Sequence, residues 1–296
     1  MPIRLLLRRG GCLRVARRRP GQSNYNGNIV LNPSQILVDL GASGLSPCNL
    51  QQVSWVIPDG NWSDHAGNTG PGADGGPSWV AAIINAVGGY TNGGQVLPNQ
   101  CFDLINGQKV PYWQDTVILV TWDDWGGWYD DVLPWNCLPG PGGYCKGYSN
   151  GTGQQYVYGF RVPLLVVSAW AKEDYVSGGV NQPAPPYVHD FGSILNFVEY
   201  AFEQNGNFLS FPNASTWGIS PSYYYADYLA PDGPEQPNCN GLCLYGLSDF
   251  FVPFTNQPRS FTPISGWKYD TSCFLNPNSC FSNYPMDPDN DANEDQ

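Results

Sequence analysis

A chain of 296 residues with 42% hydrophobic and 14% aromatic content can bury a sizeable core, as one large domain or two small ones. The formal net charge is −12, and from residue 20 onward six basic residues stand against 25 acidic ones, so nucleic-acid binding by the body of the protein is excluded on charge. With 35 Gly and 27 Pro and only 13% charged residues the chain is loop-rich, which places function on loops.

The first 20 residues carry seven of the nine arginines and no acidic residue. They have the charge of a signal n-region without the apolar h-region, so they are no working secretion signal as written and are not expected to represent structure. Residues 21–52 read as an extended lead-in, polar and rich in Gly, Asn and Ser. The run QQVSWVIP (51–58) predicts a strand, and a long loop follows from Asp59 to Gly76. GPSWVAAIINAVGG then predicts an amphipathic helix near 77–88, with Pro77 in its first turn, Trp79, Val80, Ile83, Ile84 and Val87 on one face, and Gly88 and Gly89 as the stop.

DTVILVTW (115–122) and RVPLLVVSAW (161–170) are uninterrupted apolar runs of the kind that parallel sheets bury on both faces. HDFGSILNFVEYAFEQ (189–204) predicts a second helix near 190–204, with Ile194, Leu195, Phe197, Val198 and Phe202 at helical spacing. Strands alternating with helices indicate an α/β sheet, with parallel strands near 53–58, 116–122 and 162–168. From residue 205 the chain is aromatic, Pro-rich and irregular, and MDPDNDANEDQ is a solvated acidic tail. No run of 18 apolar residues exists, so no membrane span is expected, and no internal repeat is visible.

Cys137 with Cys145, Cys239 with Cys243, and Cys273 with Cys280 form close pairs that fit disulfides made in an oxidising compartment; Cys12, Cys48 and Cys101 complete the nine. No CxxC pair occurs and neither histidine lies near a cysteine, which disfavours a zinc site.

The segment TWDDWGGWYDDV (121–132) sets Asp123 and Asp124 directly after a buried strand. Two adjacent carboxylates repel unless a cation neutralises them, so they read as ligands of a hard divalent metal ion, Ca²⁺, Mg²⁺ or Mn²⁺. The plainer alternative is that they cap the following loop. The two histidines each have an acidic neighbour, Asp64-His65 and His189-Asp190, and are the candidate catalytic imidazoles; Asp190 could equally cap its helix. The carboxylates among Trp122, Trp125, Trp128 and Tyr129 also allow a two-carboxylate glycoside hydrolase, which would need no cation and leave the histidines without a task.

Six segments, WVIPDGNWSDHAG, GPSWVAAIINAV, DTVILVTWDDWGGWYDDV, YGFRVPLLVVSAWAK, HDFGSILNFVE and SDFFVPFTNQPRSFTPI, resemble in this order the bacterial phosphoesterase family of non-haemolytic phospholipases C and related acid phosphatases. The resemblance implies an alkaline-phosphatase-like parallel sheet flanked by helices, a metal-assisted site, and hydrolysis of a phospholipid diester or a phosphomonoester through a Ser or Thr nucleophile. It implies metal ligation by Asp123 and Asp124, phosphate or leaving-group contact by His65, and a further active-site histidine in His189. Asp64, Asp131 and Asp190 would be supporting carboxylates, Asp131 standing in YDDV where the family usually has YDHV.

An ENRSFDH-like opening segment and the nucleophile of the family find no counterpart in residues 1–52, so the sheet is expected to be incomplete at its N-terminus. This gives an organisation of 1–20 as an arginine-rich start, 21–52 as lead-in, 53–265 as the C-terminal part of a phosphoesterase domain and 266–296 as a Cys-containing, acidic tail. A secreted or periplasmic location, and low activity in the absence of an N-terminal half, are the corresponding expectations. The competing reading is a secreted binding or structural fragment without catalysis.

Overall fold

The computed structural model describes residues 2–8, 30, 32–44, 48–63, 72–126, 130–132, 148–149, 155–156, 159–177, 189, 191–202, 247–252 and 257–282. The chain divides into two compact units, Met1–Gly127 with Val162–Ala169 and Pro258–Gln296, and Trp128–Arg161 with Trp170–Gln257.

In chain order the first unit begins with β1 (Pro2–Arg8), α1 (Gln35–Asp39), β2 (Val53–Val56), α2 (Gly76–Val87), β3 (Phe102–Ile105), β4 (Gln108–Pro111), α3 (Tyr112–Asp115) and β5 (Thr116–Trp122). The second unit contains the short pair β6 (Tyr148–Ser149) and β7 (Gln155–Tyr156). β8 (Leu164–Val167) belongs to the first unit, α4 (Phe191–Phe202) to the second, and α5 (Thr271–Leu275) to the first.

The main sheet has the order β2-β1-β5-β8, and every pairing in it is antiparallel. This corrects the expected parallel sheet, while the mixture of helix and strand is as expected. An uninterrupted apolar run reports burial on both faces but not the direction of its neighbours. Here β1 lies between β2 and β5 and runs opposite to both, with Leu5 level with Trp55 on one side and Leu119 on the other. β2 and β5 therefore share a direction without pairing, whereas β8 opposes β5 in the register Ile118 to Val167 and Thr121 to Leu164. The first residues, expected to carry no structure, thus supply an inner strand.

Strand β5 is the buried run the sequence predicts, with Thr116, Ile118, Leu119, Val120 and Thr121 all buried. β8 departs from its prediction. As an edge strand it leaves Leu165 exposed and Leu164, Val166 and Val167 half-buried, because an edge has a neighbour on one side only.

α2 begins and ends one residue before its predicted bounds, and Trp79, Ile83, Ile84 and Val87 are buried as its periodicity requires. They form one core with Val56 of β2, Ile118 and Val120 of β5, Trp62 and Phe274. Trp62 meets Phe274 edge-on at 4.6 Å and Tyr269 at 5.2 Å, geometries that place a positive ring edge on a negative ring face. The lead-in is not wholly extended, since α1 lies within it and buries Ile36 and Leu37 on one turn with Leu40 just beyond.

Behind α2, a polar network fixes the C-terminal segment. Asn85, fully buried, donates to Asn92 Oδ1 at 3.0 Å and the Ile264 carbonyl at 2.9 Å, and accepts from the Ile264 N–H at 2.8 Å. Asn92 in turn donates to the carbonyls of Ser78 and Tyr269, while its own N–H meets the Thr271 hydroxyl at 2.9 Å.

Among the described residues of this unit two disulfides form, Cys273–Cys280 as the spacing predicted and Cys48–Cys101 across 53 residues of sequence. The proposed pairs Cys137 with Cys145 and Cys239 with Cys243 lie outside the described residues. Closing the eight-residue loop Cys273 to Cys280 removes chain entropy worth about 2.5 kcal/mol from the unfolded state. Replacing both cysteines by alanine is expected to lower stability by about that amount, read as a shift in the urea midpoint. An unchanged midpoint would show that the bond constrains nothing that the core does not already hold.

In the second unit, α4 starts one residue after its predicted start and ends two before its predicted end, with Ile194 buried and Phe197 stacked on Phe251 at 5.1 Å. Among the described residues no helix is long and apolar enough to cross a membrane.

Candidate active site

The two aspartates read as metal ligands leave the sheet together. β5 is buried until Thr121, Trp122 is half-buried, and Asp123, Asp124, Trp125 and Gly126 are exposed, so the burial that forms the strand ends where the carboxylates begin. Asp124 Oδ1 accepts a hydrogen bond from the Gly126 N–H, a local turn that requires φ of +62° at position 126 and therefore suits glycine. The capping alternative is thus realised for one oxygen of Asp124. Asp123 makes a further contact of its own.

Six residues beyond Asp124, in the second unit, Asp130 forms a bidentate pair with Arg161, Nε to Oδ2 at 2.8 Å and Nη2 to Oδ1 at 3.0 Å. Oδ1 also accepts from the Val132 N–H at 3.1 Å. The Arg161 hydrogen bond, aided by the Val132 N–H and the guanidinium charge, holds Asp130 far below the usual carboxylate range, and Asp130 in return raises Arg161. Both side chains reach solvent, so this pair fixes geometry more than it adds stability. Asp131, the residue expected as a supporting carboxylate, is exposed beside it.

His189 precedes α4 by two residues and is half-buried. Its Nε2 lies 2.9 Å from Ser177 Oγ and 3.1 Å from Asp249 Oδ1. Asp249 is buried in the short turn Ser248–Phe250, and its Oδ2 accepts from the Ser177 hydroxyl at 2.6 Å and the Tyr175 hydroxyl at 2.9 Å. Burial pushes the Asp249 carboxyl up, but the close approach and charge of His189, with the hydrogen bonds of Ser177 and Tyr175, outweigh it and leave the group below its ordinary value. Phe250 covers the cluster, with ring centroids 5.3 Å from His189 and 5.6 Å from Tyr175.

Asp64, His65 and Asp190 lie outside the described residues. Asp123 and Asp124 belong to the first unit, Asp131 and His189 to the second. The sequence reading did not single out Asp249, Ser177 or Tyr175. A lone aspartate inside the aromatic run SDFFVPF was the available signal, because such a carboxylate is buried with its neighbours and must find partners.

For a divalent cation, the donor chemistry at the end of β5 fits. Asp123 and Asp124 are exposed hard-oxygen donors, and a Mg²⁺-type ion is commonly held by one or two carboxylates with water and substrate phosphate completing its shell. Among the described residues no group of three or more His, Cys, Asp or Glu side chains is positioned to hold a metal ion, so the two carboxylates would form only part of a cation's shell.

Comparison with known proteins places this geometry in context. The model of the Phosphoesterase family matches residues 92–204. The chain is 30% identical over 124 residues to non-specific phospholipase C6 of Arabidopsis thaliana, a match over 38% of this chain and 24% of that protein. It is 24% identical to the non-hemolytic phospholipase C of Burkholderia pseudomallei over 232 residues, 73% of this chain and 27% of that one. With phospholipase C B of Mycobacterium tuberculosis the figures are 26% over 217 residues, 67% and 33%. The chain thus matches between about a quarter and a third of the length of these curated relatives. No solved structure matches it. The resemblance read from the sequence is therefore borne out, since the stretch that holds Asp123, Asp124, Asp131 and His189 is the one that the phosphoesterase family model matches.

Proposed function

We propose that this chain takes part in hydrolysis of phosphate esters aided by a hard divalent cation, Ca²⁺, Mg²⁺ or Mn²⁺, held by Asp123 and Asp124. One observation carries the reading: two adjacent exposed carboxylates directly follow the buried strand β5, inside the stretch matched by the family model. When bound, the cation polarises a phosphoryl oxygen as a Lewis acid. Asp124, fixed at one oxygen by the Gly126 N–H, orients its second oxygen, and Asp123 supplies the adjacent donor. His65 contacts the phosphate or its leaving group, with Asp64 beside it, and His189 stabilises negative charge on the phosphate. Asp131 and Asp190 are supporting carboxylates.

The names of the similar proteins, phospholipases C, favour a phospholipid diester over a simple monoester as substrate. The two disulfides fit an oxidising, secreted or periplasmic location. No Ser or Thr of this chain is assigned as nucleophile, so the 296 residues by themselves are proposed to turn over slowly.

The test compares hydrolysis of phosphatidylcholine with that of a chromogenic monoester, with each metal and with a chelator. It uses the chain alone and the chain joined to the N-terminal half of a family member. Diester turnover in the joined protein, lost with chelator, is the expected result. Robust turnover by the chain alone that depends on Asp123 would place the nucleophile within it. Chelator-resistant turnover would end the metal reading.

A further inference from the structure

Tyr175 and Ser177, His189, and Asp249 come from three separate segments of the second unit and meet on one buried carboxylate, whose side chain is 1% exposed. A count of hydrogens fixes the protonation of the imidazole edge that faces it. Ser177 has a single hydroxyl hydrogen, and at 2.6 Å that hydrogen goes to Asp249 Oδ2, since an ionised carboxylate only accepts. The 2.9 Å contact between Ser177 Oγ and His189 Nε2 then needs its hydrogen from Nε2. A nitrogen that already donates cannot receive a proton, so Nε2 does not serve as a base.

Charge points the same way. Asp249 Oδ1 has no hydrogen-bond donor of suitable direction among the described residues, yet it lies 3.1 Å from Nε2. A buried carboxylate in that position gains most from a full positive charge on the ring. The other ionisable groups near the cluster do not offset this. Lys172 lies over the Tyr175 ring at 4.6 Å from its centroid, and Glu173 and Asp174 are exposed on the same loop.

We propose that Asp249, set in place by Ser177 and Tyr175, is a positioning residue that keeps His189 a fixed imidazolium, so that His189 acts on a phosphate ester as a cation and not as a base. The inference rests on the reading of His189 as a residue that stabilises phosphate charge. A charge already oriented before the substrate arrives costs no reorganisation when negative charge develops on the phosphoryl oxygens.

The chain has only two histidines, so the imidazole resonances of the full chain separate cleanly in long-range ¹H–¹⁵N spectra, with His65→Gln giving the assignment. Asp249→Asn is expected to move the His189 titration down by at least one pH unit, and Ser177→Ala by less. Inorganic phosphate is expected to shift the His189 resonances of the unaltered chain. At pH 7 Asp249→Asn should bind phosphate about tenfold more weakly, with near-normal affinity at pH 5, where the imidazole is protonated without help. A purely structural role would lose affinity equally at both pH values and overturn the proposal, as would a His189 titration unmoved in both variants or untouched by phosphate. Ser177→Ala guards against an Asp249 variant that fails to fold. Intact, pH-dependent phosphate binding without turnover in the joined protein would count against the hydrolase reading alone and leave this inference standing.

Discussion

Asp123→Ala is expected to lower the affinity of the chain for Mn²⁺ by at least about 100-fold, measured by isothermal titration. Loss of a supporting second-layer partner alone costs 10- to 100-fold at metal sites, and a direct ligand should meet the upper end. Asp124 allows a sharper separation, because one of its oxygens accepts the Gly126 N–H. Asn at 124 keeps an amide oxygen for that turn but removes the negative charge. If Asp124 only caps the loop, Asp124→Asn is close to neutral for both metal affinity and stability. If it is a ligand, the variant loses ten- to a hundredfold in affinity while its melting temperature stays put. Asp124→Ala would lose both affinity and about 1 kcal/mol of local stability. Unchanged metal affinity in all three variants would leave capping as the only role of the pair.

The largest stability effect is expected at Asn85→Leu. The side chain is fully buried and makes three hydrogen bonds, two to the backbone of Ile264 and one to Asn92 Oδ1. A leucine there strands three buried polar groups, each costing about 1–3 kcal/mol when unpaired, so a loss of about 4 kcal/mol or more is expected. For a unit of this size that corresponds to roughly 10 °C in melting temperature. The loss should concentrate in the C-terminal segment, with amide exchange at Ile264 and Tyr269 accelerated before that of β5. Thr271→Val, which removes only the acceptor of the Asn92 N–H, serves as a milder variant at about 1 kcal/mol. A melting point within 2–3 °C of the parent for Asn85→Leu would mean that water or relaxation satisfies the stranded groups and that the network is dispensable.

Much of the local structure could be read from residue order. α2, β5 and α4 lie within two residues of their predicted bounds because each carries a strong period, helical at Trp79, Ile83, Ile84 and Val87, continuous at Val117–Thr121. One legible feature was passed over. The sequence LINGQKV sets Asn106 and Gly107 between two short strands, and the structure places them at φ of +52° and +79°, the conformation of a two-residue hairpin turn. α1 is harder to see, since five residues give too few repeats for a period to stand out.

By itself the sequence determined the acidic surface, the loop-rich composition, the buried strand with Asp123 and Asp124 at its end, and the family that these segments resemble. All of these depend on residue type or on near neighbours along the chain. Only the tertiary structure decided the rest. Strand direction in the sheet followed from the insertion of β1 between β2 and β5, a long-range pairing that apolar runs do not encode. Cys48 met Cys101, and Asn85 met Ile264, across 53 and 179 residues of chain. The surroundings of His189 depended on Asp249, 60 residues further along the sequence. A carboxylate and an imidazole interact through distance and shared burial, and those quantities exist only once the chain has folded.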